Sequence, residues 1–180
     1  MGEESKEDGP PPPLMVLGIY LGLGAALSFG IGRTPGTFAV ADSSWTIFVV
    51  CLFFVWYSVY DVMTIGKVRA DTKCFDAKKL DDIPEELHLA LRAQGNQVEQ
   101  MPHFVTSTLL FSVFVNAKAA ALIAATWVTL RAMYAHTYRA SVGTTFRDKR
   151  LGRFTIPCYF MLNAMAMATA IHMLRFSLTA

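Results

Sequence analysis

A chain of 180 residues that is 53% hydrophobic and 17% charged has too little polar surface for a soluble domain of its size. Its formal net charge of +2, without a basic stripe outside the loops, gives no support for nucleic-acid binding. Its three cysteines and four histidines are widely separated, so neither a disulfide framework nor a metal site is indicated.

Residues 1–13 form an acidic and then proline-rich stretch, which is predicted to be disordered or extended. The first apolar block, residues 14–32, is long enough for a membrane span. Within it Gly18 and Gly22 are separated by three residues, a spacing that lets another helix approach closely. Because glycine also weakens an isolated helix, a position in the membrane interface is the alternative for this block.

Four more helices are predicted over residues 45–180. The second apolar block, residues 45–65, is rich in aromatic and β-branched side chains and is predicted to cross the membrane. A basic loop is predicted at residues 66–82. The next helix is expected to begin around Pro84, with Asp82 as its N-cap.

This third helix is predicted to continue to about residue 116 and to kink at Pro102. At ~1.5 Å per residue it is longer than the hydrocarbon core, so its first part should project into water beside the basic loop. A tight turn leads into the antiparallel fourth helix at residues 117–138, and the last helix is predicted at residues 154–176.

Lysine and arginine are concentrated in residues 66–92 and 139–153, which an even number of spans separates. The positive-inside rule then predicts that both segments are cytosolic. If the first block spans, the N-terminus is cytosolic and the C-terminus lumenal. The expected location is the endoplasmic reticulum or another endomembrane, with a mitochondrial membrane as the alternative.

Polar side chains recur on one face of each of the two antiparallel helices. The six residues are Arg92, Asn96 and Glu99, spaced i, i+4 and i+7, and Arg131, Tyr134 and Tyr138, spaced i, i+3 and i+7. Because both sets fall towards the cytosolic ends of neighbouring helices, they are predicted to converge.

Ionisable groups within membrane helices are costly and by default indicate a ligand site. The alternative is that Arg92, Glu99 and Arg131 only pair with one another to hold the helices together. Excess arginine favours an anionic ligand, and Glu99 could receive an ammonium group. A small zwitterionic peptide with extra carboxylates would satisfy the whole set.

The run RAQGNQVEQMP at residues 92–102, followed by Arg131-x-x-Tyr134-x-x-x-Tyr138, resembles the MAPEG family of membrane-associated proteins in eicosanoid and glutathione metabolism. The resemblance covers about residues 45–180. It implies an all-α membrane protein with a four-helix transmembrane bundle, to which residues 14–32 add one N-terminal helix. It also implies a homotrimer that binds glutathione between subunits at the cytosolic side.

By this resemblance, seven positions correspond to glutathione-contacting residues: Arg92, Gln94, Asn96, Glu99, Arg131, Tyr134 and Tyr138. Arg69, at the end of the preceding helix, resembles a basic residue that the neighbouring subunit supplies. The alternative for Arg69 is an ordinary interfacial anchor. Gln100 stands where some synthases of the family have tyrosine.

The resemblance also implies a catalytic arginine shortly after Tyr138, which stabilises the glutathione thiolate. Arg147, nine residues after Tyr138, has the spacing of prostaglandin E synthase, whereas the shorter spacing of leukotriene C synthase leads to Thr145. Arg150 is an alternative, and ordinary positive-inside loop charges are the competing explanation. Asp148 departs from the family pattern and would weaken the field of Arg147.

The sequence therefore predicts a glutathione-dependent transferase or peroxidase acting on lipophilic electrophiles or lipid hydroperoxides that enter from the bilayer lipids. The alternative is a non-catalytic lipid-binding or scaffold subunit, because the resembled family includes the lipoxygenase-activating protein. The N-terminal helix and tail would then dock onto a larger membrane assembly. A channel or transporter fits less well, since the charges lie at one end of the helices and line no full path.

Overall fold

The computed structural model describes residues 13–32, 40–75, 83–143 and 149–179, and these residues form an all-helical chain. The helices are α1 Pro13–Ile31, α2 Ser44–Trp56, a π-helical segment Tyr57–Val62, α3 Met63–Thr72, α4 Glu85–Phe114, α5 Ala117–Arg139 and α6 Lys149–Thr179. Helix α2, the π segment and α3 follow one another without a break and make one rod, so the described residues form five long helical bodies. Residues 1–12 of the predicted tail lie outside the described residues.

The rod is longer than the helix predicted over residues 45–65. It continues through the first part of the predicted basic loop and ends at Lys73, which has a left-handed φ of 54°. The amide of Cys74 donates to the carbonyl of Arg69 over 3.1 Å and closes the last turn. The prediction ended the helix too early because lysine and arginine interrupt an apolar block while remaining good helix formers. Arg69 therefore lies on a helix, in an element that contacts α4.

Helix α4 begins at Glu85, and Pro84 is its N-cap. Asp82, the predicted N-cap, lies outside the described residues. The acidic first turn suits the positive end of the helix dipole. It is also tied to the chain that follows α5, since the Glu85 carboxylate accepts a hydrogen bond of 3.1 Å from the Gly143 amide. The helix continues through Pro102 as one element of 30 residues, about 45 Å long.

A two-residue turn joins α4 to α5 and makes them antiparallel neighbours. The side-chain oxygen of Asn116 caps α5 by accepting from the Ala119 amide over 3.0 Å. Its Nδ2 donates to the carbonyl of Ile31, at the end of α1, over 3.1 Å. The Thr46 hydroxyl of α2 donates to the Ala117 carbonyl over 3.0 Å. We call this end of the bundle the turn end, and the opposite end, where α5 finishes, the site end.

The apolar core is built around three aromatic rings from three different helices. Phe53, Phe104 and Trp127 are all fully buried. The rings of Phe104 and Trp127 stack with centroids 4.1 Å apart, and Phe53 meets Phe104 edge-on at 5.1 Å. Leu162 and Met165 bring α6 against the same cluster. Rings in these geometries contribute about 0.5–1.5 kcal/mol per pair beyond the area they bury, so this cluster joins the rod, α4, α5 and α6.

Helix α1 packs along α6 in a parallel orientation. Successive contacts pair Tyr20 with Phe160, Gly24 with Met167 and Ser28 with His172, so both helices run from the site end to the turn end. A Cβ on Gly24 would lie 2.6 Å from Cγ of Met167, so glycine permits this close approach. We call these contacts the α1–α6 seam.

The two glycines predicted to let another helix approach, Gly18 and Gly22, do not contact α6, whereas Gly24 does. Among the described residues, no atom lies within 4 Å of a Cβ added at Gly18 or Gly22. The spacing identified a helix with faces of small residues, but the rotation of α1 against α6 places Gly24 in the contact.

Two helical stretches among the described residues are long and apolar enough to cross a membrane, Ala41–Thr72 and Leu151–Leu178. Leu17–Ile31 is a shorter apolar helix. The sequence led us to expect at least four such helices. Helices α4 and α5 fall short of this measure, because charged and polar residues such as Glu99 in α4 and Lys118 and Arg131 in α5 lower their hydropathy.

Candidate functional site

A buried guanidinium joins α4 and α5 near the site end. Arg131 is only 2% exposed. Its Nε donates to Oε1 of Gln97 over 2.8 Å, and its Nη2 donates to the Asn96 carbonyl over 2.8 Å. In return, Nε2 of Gln97 donates to the Arg131 carbonyl over 3.3 Å. These bonds offset part of the desolvation cost of a buried charge, and because both partners are neutral they leave its positive charge in place.

Two phenols extend this arrangement towards the end of α5. The amide of Asn96 donates to the Tyr134 hydroxyl over 2.7 Å. The guanidinium of Arg131 lies 4.6 Å from the centroid of the Tyr134 ring, a cation–π contact, and the rings of Tyr134 and Tyr138 are 5.5 Å apart. We call Asn96, Gln97, Arg131 and Tyr134 the polar cluster. Of the six residues predicted to converge, the structure thus brings together four: Asn96, Arg131, Tyr134 and Tyr138.

The other two predicted residues, Arg92 and Glu99, lie on the same side of α4 but are exposed. Arg92 is within electrostatic range of the Tyr138 phenol. The alternative in which Arg92, Glu99 and Arg131 pair with one another is wrong for Arg131, because its guanidinium is held by Gln97 and by a backbone carbonyl. The exposed pair therefore adds one cation and one anion beside the polar cluster.

A second polar group lies on the other side of α4. Gln94 donates to the hydroxyl of Tyr57 over 3.2 Å. Gln94 also lines a cavity of about 300 Å³ together with Arg69, Gly66, Ile65 and Val62. Positions 94 and 96 are about 200° apart around a helix, so in one protomer Arg69 and Gln94 do not meet Asn96. The structure therefore divides the predicted glutathione contacts between two faces of α4.

The predicted catalytic arginine lies in a part of the chain that the structure does not describe. Arg147, Thr145 and Asp148 belong to residues 144–148. The alternative, Arg150, lies in the first turn of α6. Since α6 begins at Lys149 and not at residue 154, part of the predicted basic segment is helical.

Three features at this end of the bundle were not recognised in the sequence. Gln97 is the main partner of Arg131, although it lies off the face shared by residues 92, 96 and 99. Gln100 donates to the Tyr159 hydroxyl over 2.9 Å, and Tyr159 lies within electrostatic range of Arg131. Asp61 is fully buried and forms an ion pair with Arg139. A carboxylate in an apolar block is a signal by itself, since it requires a partner.

Comparison with known proteins adds one finding to this geometry. The model of the MAPEG family matches residues 43–173, and the resemblance found in the sequence is thereby confirmed. The match includes the rod, α4, α5 and most of α6, and it begins after α1. A comparison with curated protein sequences gives no match.

Proposed function

Since the chain belongs to the MAPEG family, we propose that it is a glutathione-dependent membrane transferase or peroxidase acting on lipophilic electrophiles or lipid hydroperoxides. The family consists mostly of glutathione-dependent enzymes. The observation that carries the proposal is the buried Arg131, which two neutral partners hold beneath Tyr134. We place the protein in the endoplasmic reticulum or another endomembrane.

The charges at the site end fit a small zwitterionic peptide. Arg92 is an exposed cation that suits a carboxylate, and Glu99 is an exposed anion that suits an ammonium group. Asn96 and Tyr134 add an amide and a phenol between them. Arg131 supplies a positive field, because its side chain donates to two neutral acceptors, the Gln97 amide and the Asn96 carbonyl. Glutathione has carboxylates, an ammonium group and amides, which are the kinds of group that such a set can bind.

The two faces of α4 support sites that are shared between subunits. Within one protomer, Arg69 and Gln94 are separated from the polar cluster by the body of α4. A homotrimer would place Arg69 and Gln94 of one protomer opposite Arg92, Asn96 and Glu99 of the next. Each glutathione would then be bound by two subunits, and a monomer would bind it weakly.

Catalysis requires a cation close to the bound thiol. The thiolate of bound glutathione would attack a lipophilic electrophile and form a thioether as the leaving group departs. With a lipid hydroperoxide it would attack the outer peroxide oxygen and break the O–O bond, giving glutathione sulfenic acid and an alkoxide that takes up a proton. A second glutathione would then react with the sulfenic acid to give glutathione disulfide and water. A free thiol with a pKa of ~8.5 is mostly protonated at neutral pH, and a neighbouring cation favours the nucleophilic form. We assign this task to Arg147, with Arg150 as the alternative, while Arg131 contributes to the field from within the bundle.

Binding and thiolate formation are tested in one experiment on the detergent-solubilised protein. Glutathione is added, and the thermal midpoint and the ultraviolet absorbance of the thiolate are both recorded. We expect a higher midpoint, by mass action, together with a thiolate signal at neutral pH. A higher midpoint without the thiolate signal would show that the protein binds glutathione and would contradict the proposal that it is an enzyme. If neither the midpoint nor the absorbance changes, the proposal is overturned altogether.

A scaffold subunit is the second candidate, and α1 is the observation that favours it. This helix precedes the region matched by the family model, and Gly18 and Gly22 on it are open to a further helix. Deleting residues 1–32 distinguishes the candidates. A self-contained enzyme should keep its glutathione-dependent turnover after the deletion, whereas a scaffold should lose its larger assembly.

A further inference from the structure

A buried ion pair outside the polar cluster connects the rod to the last turn of α5. Asp61 is fully buried in the π segment, and its Oδ1 accepts from Nη2 of Arg139, whose side chain is 12% exposed. The two residues are 78 positions apart in the chain. Segments of π-helix are rare and occur frequently at functional sites, which makes this position of Asp61 notable.

The residues around the pair connect it to the candidate site. The Arg139 guanidinium lies 5.2 Å from the centroid of the Tyr60 ring, and the Tyr60 hydroxyl is 3.5 Å from Nδ1 of His136. The Asp61 carboxylate is also within electrostatic range of Arg131. Asp61 thus acts on two arginines of α5, and these bracket Tyr134 and Tyr138 in the sequence.

The pair is a poor device for stability alone. Oδ2 of Asp61 and both Nε and Nη1 of Arg139 are buried without a hydrogen-bond partner among the described residues. A buried ion pair repays its desolvation cost only when its remaining donors and acceptors are satisfied, and well-packed neutral residues often serve stability equally well. Stability alone therefore does not account for this buried ion pair, and a further role should depend on its geometry and charge.

We propose that Asp61 and Arg139 are positioning residues for the glutathione site. The carboxylate holds the last turn of α5 against the rod, which sets Tyr138 and Arg131 in register with α4. It pairs directly with Arg139 and acts at longer range on Arg131. This inference rests on the proposed function, since the ligand whose binding is positioned is the one proposed above.

A double-mutant cycle separates positioning from stability. Asp61→Asn leaves Arg139 unpaired, and Arg139→Met leaves Asp61 unpaired, so each single variant should have a lower thermal midpoint than the wild type. The double variant leaves neither member of the pair as an unpaired charge, so its thermal midpoint should return most of the way to that of the wild type. We nevertheless expect it to bind glutathione roughly 10-fold more weakly, measured by calorimetry on the full chain in detergent.

Two further variants control for charge and for folding. Asp71→Asn removes an exposed carboxylate from α3 and should leave the affinity unchanged. Arg139→Lys keeps the charge but loses the planar fork, so it should fold and bind more weakly than the wild type. If the double variant does not fold, the Arg139→Lys measurement decides in its place.

Each result supports or overturns a definite statement. If the wild type does not bind glutathione, the proposed function fails and this inference fails with it. If the wild type binds, and the double variant or Arg139→Lys binds as tightly, the pair is purely structural and only this inference is overturned. Restored stability with weakened affinity supports positioning, because a structural role would restore both.

Discussion

The polar cluster and the α1–α6 seam both join two helices through an arginine and hydrogen-bonding side chains, but the arginine is buried in the cluster and exposed in the seam. In the seam, Arg175 donates to the Ser28 carbonyl over 3.2 Å and lies over the Phe29 ring at 3.9 Å, where Gly24 lets the helices approach. In the polar cluster, Arg131 is buried, and its hydrogen bonds to neutral groups hold its charge in one orientation. Polar residues in a membrane helix can therefore join helices or prepare a site, and their partners distinguish the two roles.

The largest effect is expected from Arg131. Arg131→Met keeps an unbranched side chain but removes the charge and leaves Oε1 of Gln97 without its donor. We expect glutathione-dependent turnover to fall by more than about 100-fold and the protein to lose about 1–3 kcal/mol of stability. Turnover is measured with an aryl halide as the electrophile, and stability by thermal unfolding in detergent.

The outcome for Arg131 is sharpened by two controls. Arg131→Lys retains the charge without the fork and should keep part of the activity. Arg175→Met removes an arginine from the α1–α6 seam and should not change turnover. Equal losses from Arg131→Met and Arg175→Met would contradict the distinction between the two regions.

Arg147→Ala should separate catalysis from binding. Without this cation the bound thiol remains protonated, so we expect turnover to fall roughly 100-fold and the thiolate absorbance to disappear. Glutathione binding should be retained. Arg150→Ala is the matched control in the same basic segment. Unchanged turnover in Arg147→Ala, with a loss in Arg150→Ala, would transfer the role to Arg150.

A smaller effect is expected from a single hydroxyl. Tyr134→Phe removes the acceptor of the 2.7 Å hydrogen bond from Asn96 but keeps the ring in contact with the Arg131 guanidinium. The loss of one such bond is worth about 1 kcal/mol, so glutathione affinity should fall about fivefold in calorimetry. Tyr20→Phe makes the same change in the α1–α6 seam, and an equal effect there would argue against a site-specific role for the Tyr134 hydroxyl.

The smallest effect on activity is expected from the glycine in the α1–α6 seam. In Gly24→Ala the new Cβ would lie 2.9 Å from the backbone nitrogen of Ala168, so the helices must separate slightly. The protein should lose about 1–3 kcal/mol of stability in thermal unfolding while turnover stays unchanged. Gly22→Ala, where the space is open, should be neutral or slightly stabilising because alanine favours a helix. A loss of turnover in Gly24→Ala would show that α1 contributes to the site.

The sequence by itself determined which residues could share a face. Helical spacing placed Asn96 on one helix and Arg131 and Tyr134 on the next, and a tight turn made those helices antiparallel, so their meeting followed from helix geometry. The same residues carried the resemblance to the MAPEG family, which the family model confirms over residues 43–173.

Only the tertiary structure decided how the helices are rotated and which distant residues meet. Periodicity fixes the spacing along a face but not the neighbour that the face meets, so it pointed to Gly18 and Gly22 where α6 contacts Gly24. Helical spacing already puts Gln94 about 200° from Asn96, but only the structure shows that Gln94 meets Tyr57 while Asn96 meets Tyr134. The partner of Asp61 depends on long-range packing, because Arg139 lies 78 positions away and reaches it only when α5 packs against the rod.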